Sequence, residues 1–222
     1  MKHHTLWIAI LAGSLASVPA LANEPFDYDY LGITYDYERI GVDGYSEELA
    51  GHKVTLVYSE ELKQGLIYQA FADTNFVDED VTTADSQYHY EQDQITIGAS
   101  LGTHLPMTAK SDIVGSARLN YTFYDTYTRV SGGSGVEAYT ESDEGSEASL
   151  DVSAGVRWFI DDYNSLDIQP LFGAIVTKDE TEPYFRGRAS FRYVNTMEVY
   201  LDMTTYLDSD YRAFGTGMFL YY

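Results

Sequence analysis

The chain has 222 residues and a formal net charge of -22, with no cysteine, 21 tyrosines, 10 phenylalanines and 2 tryptophans. The missing cysteine excludes a disulfide framework, a thiolate metal site and a thiol nucleophile, and the acidic balance excludes nucleic acid as a partner, since phosphate would be repelled. The length allows one domain or at most two, and a tyrosine-rich composition suits strands and membrane interfaces, where the ring packs and the hydroxyl stays wet.

Residues 1–22, MKHHTLWIAILAGSLASVPALA, combine a short basic start at Lys2, an apolar run from Leu6 to Val18 and the small-x-small triplet Ala20-Leu21-Ala22. This pattern reads as an export signal cleaved after Ala22, leaving a single domain over residues 23–222. A membrane anchor is the alternative, but Gly13 and Ser14 interrupt the run and it is short for a span. No later stretch is a transmembrane-helix candidate, so a second encounter with a membrane would have to be made by strands.

From there the periodicity is two. DYLGITYDYE sets Leu31, Ile33, Tyr35 and Tyr37 against Gly32, Thr34, Asp36 and Glu38, and VTLVY sets Val54, Leu56 and Tyr58 against Thr55. GLIYQAFA also reads as a strand, with less distinct faces. QITIGASLGTH alternates Ile95, Ile97, Ala99 and Leu101 with Thr96, Gly98, Ser100 and Gly102, and SARLNYTFY alternates Ala117, Leu119, Tyr121 and Phe123 with Ser116, Arg118, Asn120 and Thr122. LDVSAGVRW, DIQPLFGAIV, FRGRASFRY and VYLDMT continue the pattern to Thr204. Strict alternation over such lengths predicts strands with two unlike faces. Ten are expected, over 26–39, 52–62, 65–75, 92–104, 112–127, 148–160, 166–177, 184–195, 198–207 and 211–222. Eight or twelve are the alternatives, with strands two and three the weakest. These strands exceed the five or six residues typical of soluble sheets and match the roughly 9–11 tilted residues that cross a hydrocarbon layer.

The connections alternate between long and short. GVDGYSEELAG, FVDEDVTTADSQYHYEQ and TRVSGGSGVEAYTESDEGSE are long and polar, whereas LKQ, HLPMTAKSD, DDYNS and VNTM are short; KDETEP and DSDY, late in the chain, are brief as well. One rim of an up-and-down barrel would then carry large loops and the other tight turns, the asymmetry of outer-membrane barrels. A soluble sandwich also alternates, but the polar face here is rich in small residues (Gly98, Ser100, Gly102, Ser153, Gly155, Gly173, Gly215, Gly217) and the apolar face has aromatics near its ends (Tyr35, Tyr121, Phe123, Trp158, Phe185, Tyr193). Small residues suit a narrow interior, and the aromatics suit an interfacial girdle.

The same parity puts Arg118, Asp151, Arg157, Asp167, Arg186, Arg188, Arg192 and Asp202 on the inward face. Two readings compete. An ion-pair lattice would fill the lumen, since buried charges must be paired; a basic constriction in a water-filled pore would favour anions. Ten strands enclose little space, which favours the filled lumen.

Beyond the leader the histidines are His52, His89 and His104, and no Gly-x-Ser-x-Gly elbow occurs. A dyad of a loop carboxylate with His89 or His52 is the enzymatic alternative; no catalytic residue, metal ligand or cofactor is assigned. The acidic segments VDED, ESDEGSE and KDETE lack the twelve-residue calcium-loop pattern, so divalent cations are expected there only as loosely held bridges to anionic lipid heads.

The ending FGTGMFLYY, with Phe214, Met218, Leu220 and a terminal Tyr222 at alternate positions and Thr216 the weak member, resembles the C-terminal signature of Gram-negative outer-membrane β-barrel proteins, although the class most often ends in Phe. The resemblance identifies a class and no subfamily. It implies recognition of the last strand by the barrel-assembly machinery, insertion into the lipids of the cell outer membrane and closure against the first strand. The expectation is an all-β, antiparallel, monomeric up-and-down transmembrane barrel of about ten strands. Its leading function is non-enzymatic, the structural or adhesive display of acidic extracellular loops over a largely plugged lumen. The alternatives are a narrow porin-like channel with an arginine-lined constriction, and an outer-membrane protease or lipid-modifying enzyme.

Overall fold

The computed structural model describes residues 26–41, 48–63, 65–82, 86–132, 138–161, 163–193 and 196–222. Residues 1–25, which include the expected leader, lie outside them, as do the tips of the three longest connections. The described residues form ten strands: β1 (Tyr30–Gly41), β2 (Glu48–Lys63), β3 (Leu66–Thr82), β4 (Ser86–Thr108), β5 (Ser111–Gly132), β6 (Tyr139–Phe159), β7 (Leu166–Val176), β8 (Thr181–Tyr193), β9 (Met197–Tyr206) and β10 (Arg212–Tyr221). Each pairs antiparallel with its sequence neighbours, and β1 pairs with β10 from Tyr30↔Tyr221 to Arg39↔Arg212, closing the barrel. Closure leaves no unpaired strand edge in the apolar layer, the condition for strands to cross lipid.

Alternation sorts the faces as the sequence pattern predicts. Leu31, Leu56, Ile95, Ile97, Leu101, Leu119, Phe172, Leu201 and Phe214 are exposed on the outside, while the residues between them turn inward. A continuous exposed apolar band of this kind marks a lipid-contacting surface. The inward glycines have a specific packing task. A side chain at Gly32 would strike the ring of Phe219, one at Gly98 the ring of Phe71, one at Gly173 the ring of Tyr184, and one at Gly217 the ring of Tyr200. Each glycine therefore seats an aromatic ring from an adjacent strand.

Two sequence expectations need correction. The long polar connections after the third and fifth strands are largely strand: β4 runs for 23 residues, β5 for 22 and β6 for 21, and β3 pairs with β4 as far as Thr82↔Gln87. Roughly half of β4 and β5 therefore exceeds what a bilayer core demands. Beyond lipid both faces of a strand are wetted, so the hydrophobic alternation that announces a strand disappears although the hydrogen-bond ladder continues. The second correction is at the start. Residues 26–29 are not strand, and the buried side chains of Phe26 and Tyr28 belong to the barrel's inner packing at its short-turn end.

The short turns are locally specified. Gly65 adopts φ 78°, in the left-handed region that glycine tolerates, and its amide donates to Glu61 Oε1 at 2.9 Å. Asn164, φ 54°, plays the equivalent part between β6 and β7. There Asp161 accepts the amides of Tyr163, Ser165 and Leu166 and the Ser165 hydroxyl.

Candidate functional site

The barrel interior holds charged groups in three levels. At the short-turn end, Arg157 on β6 forks onto Asp167 on β7, with contacts of 3.1 and 2.9 Å, and reaches Glu198 on β9 at 2.5 Å. Tyr221 donates its hydroxyl to Glu198 at 2.7 Å, and Arg192 Nη2 lies 3.6 Å from the same carboxylate. Asp112 faces Arg157 across the β5–β6 ladder and accepts the Tyr28 hydroxyl at 3.0 Å; His104 Nδ1 lies 3.1 Å from it and His104 Nε2 lies 3.2 Å from Glu61. Phe26 stacks on Phe159 at 4.2 Å, and the Arg157 guanidinium lies 4.5 Å from the Phe26 ring. Asp112, Asp167, Glu198 and His104 are all at most 1% exposed. Charges so deeply withdrawn from water hold only when paired, and removing one partner leaves the other uncompensated.

At mid-height Arg188 binds Asp202 at 3.0 Å while its guanidinium lies 4.0 Å from the Tyr200 ring. Tyr184 donates to Asp151 at 2.8 Å, Arg186 Nε donates to Thr204 at 2.9 Å, and Arg118 lies 4.5 Å from the Phe71 ring. Nearer the long-hairpin end, Lys53 pairs with Glu38 at 2.7 Å and lies 3.8 Å from Asp36, and Asn75 donates to Glu38 at 2.8 Å.

All eight charged residues singled out from the sequence thus line the interior, but they do not form one lattice. Arg157 binds both Asp167 and Glu198, and Arg192 approaches Glu198; Arg188 meets Asp202; Arg118 and Arg186 stand apart. Sequence reading placed Glu38 on the polar face of the first strand without singling it out, and it missed Glu198, Asp112, His104 and Lys53 as interior groups. Extending the alternation of VYLDMT back by one residue reaches Glu198, and extending that of SARLNYTFY back by four reaches Asp112, so the signal was present. Tyr28 lay within the expected first strand, 26–39, on the parity of Gly32 and Thr34, but was not singled out because its ring is apolar in pattern. The rings of Phe219 and Tyr221 also point inward, between the outward Phe214, Leu220 and Tyr222.

Two adjoining hollows lie in the interior among the described residues, one of about 240 Å³ at mid-height and one of about 430 Å³ towards the long hairpins. Above the barrel, the β3–β4 extension brings Asp78, His89 and Glu91 together with ligand atoms within 4.8 Å of one another. His89 lies 3.0 Å from Asp80 and 2.8 Å from Glu91, and the bond to Glu91 foremost raises its pKa above the ordinary histidine value. The third histidine, His52, contacts the Tyr35 hydroxyl at 2.6 Å and stacks on Phe76.

No protein-family model and no curated protein matches the sequence. In structure the chain is similar to the translocator domain of autotransporter NalP from Neisseria meningitidis, with a TM-score of 0.52 and 9% identity over 98% of this chain and 94% of that one. Weaker likenesses are to the NanC porin, with a TM-score of 0.46 and 9% identity over 86% of this chain and 100% of that one, and to Ail of Yersinia pestis, at 0.36 and 11% over 88% and 99%. At such identities the likeness speaks to fold. The chain is a closed β-barrel of the outer-membrane type.

Proposed function

We propose that the protein is a non-enzymatic integral barrel of the outer membrane, closed at its short-turn end, that displays an acidic sheet outside the cell. The observation that carries the closure is the layer joining Phe26, Tyr28, Asp112, Arg157, Asp167, Glu198 and Tyr221 across six parts of the chain. Such a layer is costly to open, because separating its charges strands each in a low-dielectric interior. The display reading rests on the upper parts of β3 to β6, which carry Asp78, Asp80, Glu91, Asp125, Glu141, Asp143 and Glu144 beyond the apolar band. In this reading the barrel is a monomer in outer-membrane lipid, the display residues hold divalent cations loosely, and the assembly machinery reads Phe214, Met218, Leu220 and Tyr222 on β10.

Planar-bilayer recording of the purified barrel tests the closure. The wild type is expected to show no steady conductance, and Glu198→Ala combined with Tyr28→Ala to give a flickering one. A steady wild-type conductance that changes with Arg188→Ala or Arg192→Ala would overturn the closure in favour of the arginine-lined channel, a reading to which the two hollows lend support. Turnover of peptides or lipid A by the protein in micelles would instead favour a hydrolase built on His89 with Asp80; none is expected.

A further inference from the structure

Of the basic side chains on the inward face, four have a carboxylate partner: Lys53 at 2.7 Å, Arg157 at 2.9 Å, Arg188 at 3.0 Å and Arg192 at 3.6 Å. Arg118 and Arg186 make no ion pair among the described residues. Arg118 lies against the Phe71 ring, and Arg186 uses Nε on Thr204. Asp151, directly across the ladder from Arg118, accepts the Tyr184 hydroxyl instead. Both arginines border both hollows, so they stand where the lower one meets the upper. Asn75, Gln92, Gln94, Asn120, Thr122 and Ser149 line one part of the upper hollow, whose wall also carries Lys53 and the carboxylates of Glu38, Asp73, Asp151, Glu182 and Asp210. Asn75 Oδ1 and Asn120 Oδ1 are buried acceptors without a donor.

We infer that this junction is a binding site for a small, hydroxyl-rich organic anion, a sugar acid or sugar phosphate, that enters from the long-hairpin side. Its carboxylate or phosphate lies between Arg118 and Arg186, and its hydroxyls meet the amides above. A guanidinium withdrawn from bulk water calls for a counter-charge, and its planar fork of donors matches carboxylate and phosphate oxygens. Amide side chains both donate and accept, as hydroxyl groups do. The combined hollows are of the size that small-molecule sites occupy, roughly 300–1,000 Å³. Asp73 and Asp151 line the same junction, so an anion that brings hydroxyl donors is favoured there over a bare one. The site opens outward and needs no passage through the short-turn end, so it goes beyond the closure proposed above and stands or falls apart from it.

Calorimetric titration of the purified barrel in detergent micelles with D-glucuronate, D-glucose and inorganic phosphate tests the assignment. D-glucuronate is expected to bind at least about tenfold more tightly than either of the others, as a charge-assisted contact added to hydroxyl contacts requires. Arg118→Gln and Arg186→Gln are each expected to weaken it about tenfold or more, and Arg39→Gln on the outer surface to leave it unchanged. Folding of each variant is read from heat-modifiable gel migration. Absence of D-glucuronate binding to the wild type overturns the proposal, as does equal binding of D-glucose or phosphate, or unchanged binding by the folded variants. Should neither variant fold, the wild-type preference among the three probes decides alone. A conducting barrel that still binds D-glucuronate would refute the closure and leave the site standing.

Discussion

Asp161 condenses a whole turn into one side chain. The amide of Leu166 and the Ser165 groups bonded to it, with the amide of Tyr163, hold its carboxyl down to about 2. A depressed carboxyl contributes stability that is complete above its unfolded value of about 4 and is lost as the pH falls through the folded one. The Leu166 and Ser165 amides are therefore expected to lose hydrogen-exchange protection as the pH drops from 5 to 2.5, and Asp161→Ala to lose it already at pH 5. Unchanged protection across that range would refute the linkage. The DDYNS segment was legible as a turn from its residue types. That Asp161 would gather these donors was not, because it depends on turn geometry.

At the scale of the element, β10 carries two messages on its two faces. Inward, Gly215 and Gly217 leave space, and a side chain at Gly217 would strike the Tyr200 ring. Gly217→Val is expected to destabilise the barrel by about 1–3 kcal/mol, the usual cost of overpacking. Gly187→Ala, where only the edge of the Phe185 ring lies nearby at 3.7 Å, is expected to be close to neutral. Urea unfolding in lipid vesicles distinguishes the two, and equal effects would contradict the ring-seat account. Outward, Phe214, Leu220 and Tyr222 are exposed, as the resemblance to outer-membrane barrels requires. Deleting Tyr222 is expected to lower the yield of assembled barrel in cells several-fold while the protein that does fold keeps its stability; normal assembly would remove the signalling role. The elements within the apolar band were readable because lipid on one side and a crowded lumen on the other impose a period of two. The extensions of β3 to β6 were not, since water on both sides imposes none.

For the whole molecule, the net charge of -22 acquires a place. Carboxylates of the lumen are largely matched by Lys53, Arg157, Arg188 and Arg192, whereas those above the apolar band, such as Glu141, Asp143, Glu144 and Glu147, are exposed. Replacing these four by serine is expected to reduce retention of the protein on a polylysine surface, most clearly at low salt, where screening is weak. Retention equal to that of the wild type at low salt would contradict electrostatic display. The sequence by itself determined the number of strands, which face of each meets lipid, and the location of the eight inward charges singled out from it, because alternation is a local property enforced along every strand. Only the tertiary structure decided which charge meets which. Glu198 joins Arg157, Arg192 and Tyr221, and Phe26 and Tyr28 enter the lumen. Arg118 and Arg186 border both hollows without forming an ion pair among the described residues, although Asp73 and Asp151 line the same junction. Those outcomes depend on ladder register and barrel closure, which bring together side chains from strands far apart in sequence, and no local pattern encodes them.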